Sequence, residues 1–239
     1  MAHTALATAA GLIALAFAMC TYERWLARRR PHELAWSIAL VMFAVAAGAL
    51  AAGSAMGWNE TSFRVFYLFG AIANVPVLAL GTLYLLAPRR RADAWAVIIG
   101  LFVAFAAGVM AVAPLTAPLA RTELARGSEV LGVLPRIMAA GASGLGALVV
   151  IAGAVWSAAR IRRLRLVVAN SLIATGTVVT GASGLLNSVF DEMTGFAVSL
   201  VVGISMLFAG FLVATSTRRP PAVSAVDADG PRLVAVNRR

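Results

Sequence analysis

Within long apolar runs of this chain, few side chains could do chemistry. They are Arg64, Tyr67, Asn74, Arg136, Ser143, Asn170, Thr177 and Asn187, with the acids Glu60 and Asp191 at the ends of the same runs. A guanidinium, amide or hydroxyl surrounded by hydrocarbon must find a partner, so such residues mark either a binding site or a contact between helices. They fall at helical spacing. Asn170, Ala174, Thr177, Gly181, Gly184 and Ser188 share one face, opposite Leu172, Val179, Leu186 and Val189. Tyr67, Gly70, Asn74 and Gly81 share another, with Arg64 at its edge, and Arg136, Ala140, Ser143 and Ala147 a third. Three small or polar stripes are expected to point at one another. One reading is a cavity lined by Tyr67, Asn74, Ser143, Asn170 and Thr177. The other is close packing, in which small residues let helices approach and each Asn or Thr bond contributes about 0.6 kcal/mol. Both stay open at this level. Pro76 should leave the Ile72 carbonyl without its helical donor and kink the chain beside Asn74.

A second cluster comprises Glu60, Arg64, Arg136, Asn187, Asp191 and Glu192. Glu60 and Arg64 are four residues apart, as are Asn187 and Asp191, so each pair can meet on a helix. This is either a site for an anion or lipid headgroup, using Arg64 and Arg136 and gated by Glu60 and Asp191, or a ring of solvated charge. His3 belongs to the same side.

Catalysis lacks its parts. Gly141-Ala142-Ser143-Gly144 and Gly181-Ala182-Ser183-Gly184 resemble the Gly-x-Ser-Gly around the nucleophile of rhomboid proteases, but no histidine follows His32 and the chain has no lysine. A serine without a base is a poor nucleophile. Neither a His-Glu-x-x-His pair nor a phosphate loop ending in Gly-Lys is present. Carboxylates are expected at membrane surfaces only, which leaves no proton relay through the core. Two histidines are too few for a metal or haem centre, and a retinal Schiff base of the microbial rhodopsin kind needs a lysine. No catalytic residue, metal or cofactor is expected.

The elements that must position these residues are membrane helices. The chain has 239 residues, 61% hydrophobic and only 13% charged, with mean hydropathy +0.89, whereas soluble domains carry about 25% charged residues. Crossing a bilayer takes roughly 20 mostly apolar residues. Seven runs qualify: Thr4–Tyr22, Leu34–Met56, Phe63–Ala87, Ala94–Ala113, Leu134–Ala159, Leu166–Val189 and Thr194–Thr215. They lack the period-two alternation of barrel strands. The expectation is an all-α membrane protein, a seven-transmembrane-helix bundle. All 20 basic residues are arginine, 16 in one alternate set of connections plus the C-terminal tail and 4 in the other set, while the acids divide five and five. The positive-inside rule then puts the N-terminus outside and the C-terminus in the cytoplasm, in a bacterial-type cytoplasmic membrane. The net charge of +10 is thus a property of one membrane face and no sign of a nucleic-acid partner. The first run has no positive n-region and is expected to be retained, with Cys20 a packed thiol. Pro114–Val133 is the longest connection, with a brief interfacial helix as one option. Trp58 at one boundary, with Trp25, Trp36, Trp95 and Trp156 at the other, reads as interfacial belts. Residues 1–217 form the membrane domain, and residues 218–239 a disordered basic tail suited to anionic lipid headgroups.

The arginine-rich turns 27–30 and 161–164 correspond, as do Pro88-Arg89-Arg90 and Thr217-Arg218-Arg219, and the fourth run, Ala94–Ala113, has no polar side chain. This weak 3+1+3 pattern is similar in topology to SWEET-type sugar transporters, without their Pro-Gln signature. The leading expectation is a non-catalytic protein that binds or moves a small molecule or lipid between helices three, five and six. The alternatives are an accessory subunit docking a membrane-protein partner through glycine faces, including Gly53 and Gly57, or a sensory module that signals through another chain.

Overall fold

A computed structural model of the chain describes residues 2–119, 127–160, 164–190 and 193–215, with backbone alone over 182–190 and at 193. Seven helices are long and apolar enough to cross a membrane. They are α1 (Ala2–Arg28), α2 (Pro31–Met56), α3 (Glu60–Leu86), α4 (Arg89–Val112), α5 (Val133–Arg160), α6 (Leu164–Phe190) and α7 (Met193–Thr215). Several run past the expected apolar boundaries into the arginine-rich turns. Arginine is a good helix former, so a helix need not end where the hydrocarbon does. No strand occurs among the described residues, beyond one isolated bridge between Leu115 and Leu131.

Local sequence sets the turns. Arg29 and Arg30 join α1 to α2, with Arg29 at φ 50° and Pro31 opening α2, where its missing N–H is no loss. Gly57 ends α2 at φ 89°, a conformation that strains any residue with a Cβ. Asn59 and Ser62 then form a reciprocal capping box at the start of α3: the Ser62 amide donates to Asn59 Oδ1 at 2.9 Å and the Asn59 amide to Ser62 Oγ at 3.1 Å.

The helices form a closed ring in the order α1, α2, α3, α5, α6, α7 and back to α1. α4 stands outside this ring, packed on α3 and more lightly on α5, and is the least buried span. That is where a run without polar side chains belongs. The ring's seams are built on glycine. A Cβ on Gly176 would lie 2.9 Å from the Gly203 carbonyl oxygen, and one on Gly210 2.8 Å from that of Ala169, so α6 and α7 touch backbone to backbone. A Cβ on Gly146 would lie 3.0 Å from the Val75 carbonyl, which sets the approach of α5 to α3. Elsewhere aromatic rings fill space. Phe17 stacks on Phe208 at 5.0 Å between ring centres, so α1 locks onto α7.

Two expectations are corrected by packing. Trp58 is buried, seated on Gly53 and edge-on to Phe63 and Phe66, so its ring serves the core and not an interfacial belt. Gly53 is accordingly covered by the chain's own tryptophan. In the described part of the longest connection, Gly127–Val130 forms a short helical turn that dips inward. Val130 and Leu131 are buried, and Thr116 holds them by donating its amide to the Val130 carbonyl and its hydroxyl to that of Glu129. The basic tail, 218–239, lies outside the described residues.

Candidate functional site

The ring holds a partly open cavity of about 540 Å³, lined by α2, α3, α5, α6, α7 and the Gly127–Val130 turn. Its wall is mostly Ala, Gly, Leu, Val and Phe, from Ala39 and Leu40 on α2 to Phe196 and Leu207 on α7. The polar groups on the wall are Tyr67, Asn74, Ser128, Arg136, Ser143, Thr177 and Thr180. From Phe196 to Leu207 the cavity follows α7 for about 16 Å, at 1.5 Å per residue.

α3 shapes one wall through an unusual stretch. Tyr67–Ala73 is π-helical, just before Pro76. Proline supplies no N–H and crowds the preceding turn, and a widened turn is one way a membrane helix absorbs it. The sequence placed the freed carbonyl at Ile72. The structure gives the interhelical donor to its neighbour: the Ser143 hydroxyl on α5 donates to the Ala71 carbonyl at 2.6 Å. Ser143 therefore both lines the cavity and ties α5 to the π-helical stretch.

The two threonine hydroxyls of α6 on the wall are likewise engaged with backbone. Thr177 donates to the Ile173 carbonyl and Thr180 to that of Gly176, each at 2.8 Å. Asn74 differs. It is 8% exposed and its Oδ1 has no partner among the described residues. Such a buried amide oxygen costs about 1–3 kcal/mol if nothing reaches it. Arg136 opens onto the same cavity near its α2–α3 end, is solvent-exposed, and lies within electrostatic reach of the Tyr67 phenol. It makes no ion pair among the described residues. The Tyr67 ring itself is covered by the backbone of Gly127, where a Cβ would fall 2.6 Å from Cε2. The short turn thereby closes over that end of the cavity.

Of the residues singled out in the sequence, Tyr67, Asn74, Arg136, Ser143 and Thr177 come together around this space. Arg64 does not. Its guanidinium bonds Glu60 (Nε to Oε1, 3.0 Å) and the carbonyls that end α4, those of Met110 and Ala113, the latter at 2.8 Å. It acts as a clasp for the outlying helix. Asn170 faces the α5–α6 seam, where Nδ2 donates to Ser157 Oγ at 3.1 Å. Glu60 is exposed on α3 and pairs with Arg64. The Asn187 side chain and the whole of Asp191 and Glu192 lie outside the described residues. His3 bonds Thr194 Oγ1 at 2.9 Å and so ties α1 to the start of α7.

Three features escaped the sequence reading. Thr180 follows Thr177 by three residues and could have been found by extending that stripe. Ser128 reaches the cavity only because its connection folds inward, which no local pattern announces. Glu33 is the third. It sits in the first turn of α2, next to the arginine-rich connection, yet is covered by protein and only 1% exposed. Arg24 on α1 pairs with it (NH2 to Oε1, 3.1 Å), while its Oε2 has no partner among the described residues. Arg24 also stacks on Phe211 at 5.4 Å, so one side chain joins α1, α2 and α7. No cluster of His, Cys, Asp and Glu able to hold a metal exists among the described residues.

Compared with protein family models, with characterised proteins and with solved structures, the chain matches none.

Proposed function

We propose that this chain is a polytopic membrane protein that binds a small amphipathic molecule in the cavity of its helix ring, and moves it or reports on it without chemical change. The observation that carries this reading is a hollow interior containing a buried amide, Asn74, whose oxygen has no donor among the described residues. Small-molecule sites are typically apolar concavities of about 300–1,000 Å³ with a few placed polar groups, and this cavity is of that kind. In this reading the arginine-rich turns face the cytoplasm and the Arg136 end of the cavity faces outward. The 3+1+3 arrangement fits the ring, because exchanging α1–α2–α3 with α5–α6–α7 preserves every neighbour relation within the ring and leaves α4 as the linker.

The test is a plug. Gly181 lines the cavity, and a Cβ there meets nothing within 4 Å. Gly181→Leu should therefore fold normally and obstruct the space. Native mass spectrometry of the wild type from a gentle membrane mimetic should show a bound small molecule or lipid of defined mass, absent from the variant. The same bound mass on both would place the molecule on the outer surface and end the proposal.

A further inference from the structure

We infer that the occupant of this cavity is an anionic amphiphile with a hydroxyl some way down its apolar body, an inference that rests on the cavity reading above. Charge provides the first argument. Among the described residues on the wall there is one cation, Arg136, and no carboxylate. Arg64, at the same end of the bundle, has its guanidinium occupied by Glu60 and by the end of α4, whereas Arg136 has no ion pair among the described residues. A guanidinium is weakly hydrated and presents a planar fork of donors that matches a carboxylate or phosphate. The hydroxyls of Tyr67 and Ser128 border the same space and can donate to the same head.

Depth gives the second argument. Asn74 lies seven residues beyond Tyr67 along α3, about 8–10 Å, since the π-helical turns rise less per residue than α-helical ones. The neighbouring hydroxyls of Ser143, Thr177 and Thr180 already donate to backbone carbonyls. The amide is left as the group in need of a partner, nine-tenths buried and on the cavity wall. A ligand hydroxyl both donates and accepts, so it satisfies whichever amide atom it meets. Between Tyr67 and Asn74 on α3, and between Arg136 and Ser143 on α5, the wall residues are Gly70, Ala71, Ala139 and Ala140, which suit a hydrocarbon segment.

The full chain in phosphatidylcholine nanodiscs can be titrated with decanoate, decanol, decyltrimethylammonium and 10-hydroxydecanoate, with stoichiometry and affinity read by native mass spectrometry. One decanoate should bind per chain, roughly tenfold more tightly than the neutral or cationic probe, and the hydroxylated acid more tightly still. R136Q should erase the preference for the acid and R136K should keep most of it, while N74L should erase only the gain from the hydroxyl. If the three head groups bind wild type equally and Gly181→Leu abolishes all of them, the anionic class is overturned and the cavity stands. If decanoate is preferred but the hydroxyl adds nothing, the role given to Asn74 is overturned. If no probe saturates wild type and Gly181→Leu behaves identically, the cavity reading fails with the rest.

Discussion

Two arginines at one end of the bundle, Arg64 and Arg136, look alike in sequence and should respond oppositely to removal. Arg64 holds α4, the helix outside the ring and the least buried span at 11%. The last turn of α4 ends in carbonyls with no intrahelical donor, and Arg64 supplies donors to those of Met110 and Ala113. Hydrogen bonds from a charged donor contribute about 1.5–3 kcal/mol each. Water at the membrane surface would recover part of that on loss of the side chain. The i,i+4 pair with the exposed Glu60 adds only about 0.3–0.5 kcal/mol. Arg64→Ala should therefore cost about 2 kcal/mol locally, a factor of roughly 30 in the opening of the α4 end. Hydrogen exchange over residues 106–113 reads this directly, through amides such as that of Ala113, which donates to the Val109 carbonyl at 2.8 Å. Arg64→Lys should fall between the two, because a single ammonium cannot span three acceptors as a planar fork does. Arg136→Ala should leave exchange at α4 unchanged. The reasoning is refuted if Arg64→Ala leaves α4 protected, or if Arg136→Ala exposes it.

Two further substitutions test how the ring is closed. Gly176→Ala pushes a methyl against the Gly203 carbonyl and the Leu207 amide, backbone atoms that cannot rotate aside. It should cost about 1–3 kcal/mol, the usual penalty of overpacking, and lower the thermal midpoint in detergent, whereas Gly141→Ala, with nothing within 4 Å, should not. Arg24→Ala strands the buried Glu33 carboxylate and should cost about 3–5 kcal/mol, with Glu33 and Arg24 replaced together (by Gln and Met) losing far less. Equal losses in the single and double variants, measured by the same melting assay, would show that the pair itself is not what matters.

How far the sequence carried the fold depends on which force sets each feature. Hydrocarbon thickness sets the spans, and the ends of α2 and α7, Met56 and Thr215, coincide with the ends of the apolar runs. Membrane helix composition also separates α4, with no polar side chain over 94–113, from its neighbours. What could not be read is which partner a polar stripe meets. Arg64 and Asn170 lie on stripes as regular as those of Arg136 and Asn74, yet one clasps α4 and the other crosses a seam to Ser157. That choice is made by the order of helices around the ring, a long-range property. Trp58 illustrates the same limit: its burial depends on Gly53 five residues earlier being turned back upon it at Gly57.

Packing and cavity, which one composition left open, make different demands on position. Five or six rods in mutual contact around a ring leave a central gap of roughly two-thirds to one rod width, about 7–10 Å for helices. Nothing about glycine-zipped seams closes that gap; tighter seams only make the ring more regular. It is closed when large side chains point inward, and over much of this wall the inward positions are instead Ala46, Ala47, Gly70, Ala71, Ala140, Ala147 and Gly181. The glycines at 146, 176, 203 and 210 are spent on helix contacts, and Gly70 and Gly11 likewise receive Ala46 and Ala47, whereas Gly181 has open space beside it. Small side chains let helices meet at the seams and also leave the centre open, and in the proposed function that open centre is the room a guest needs.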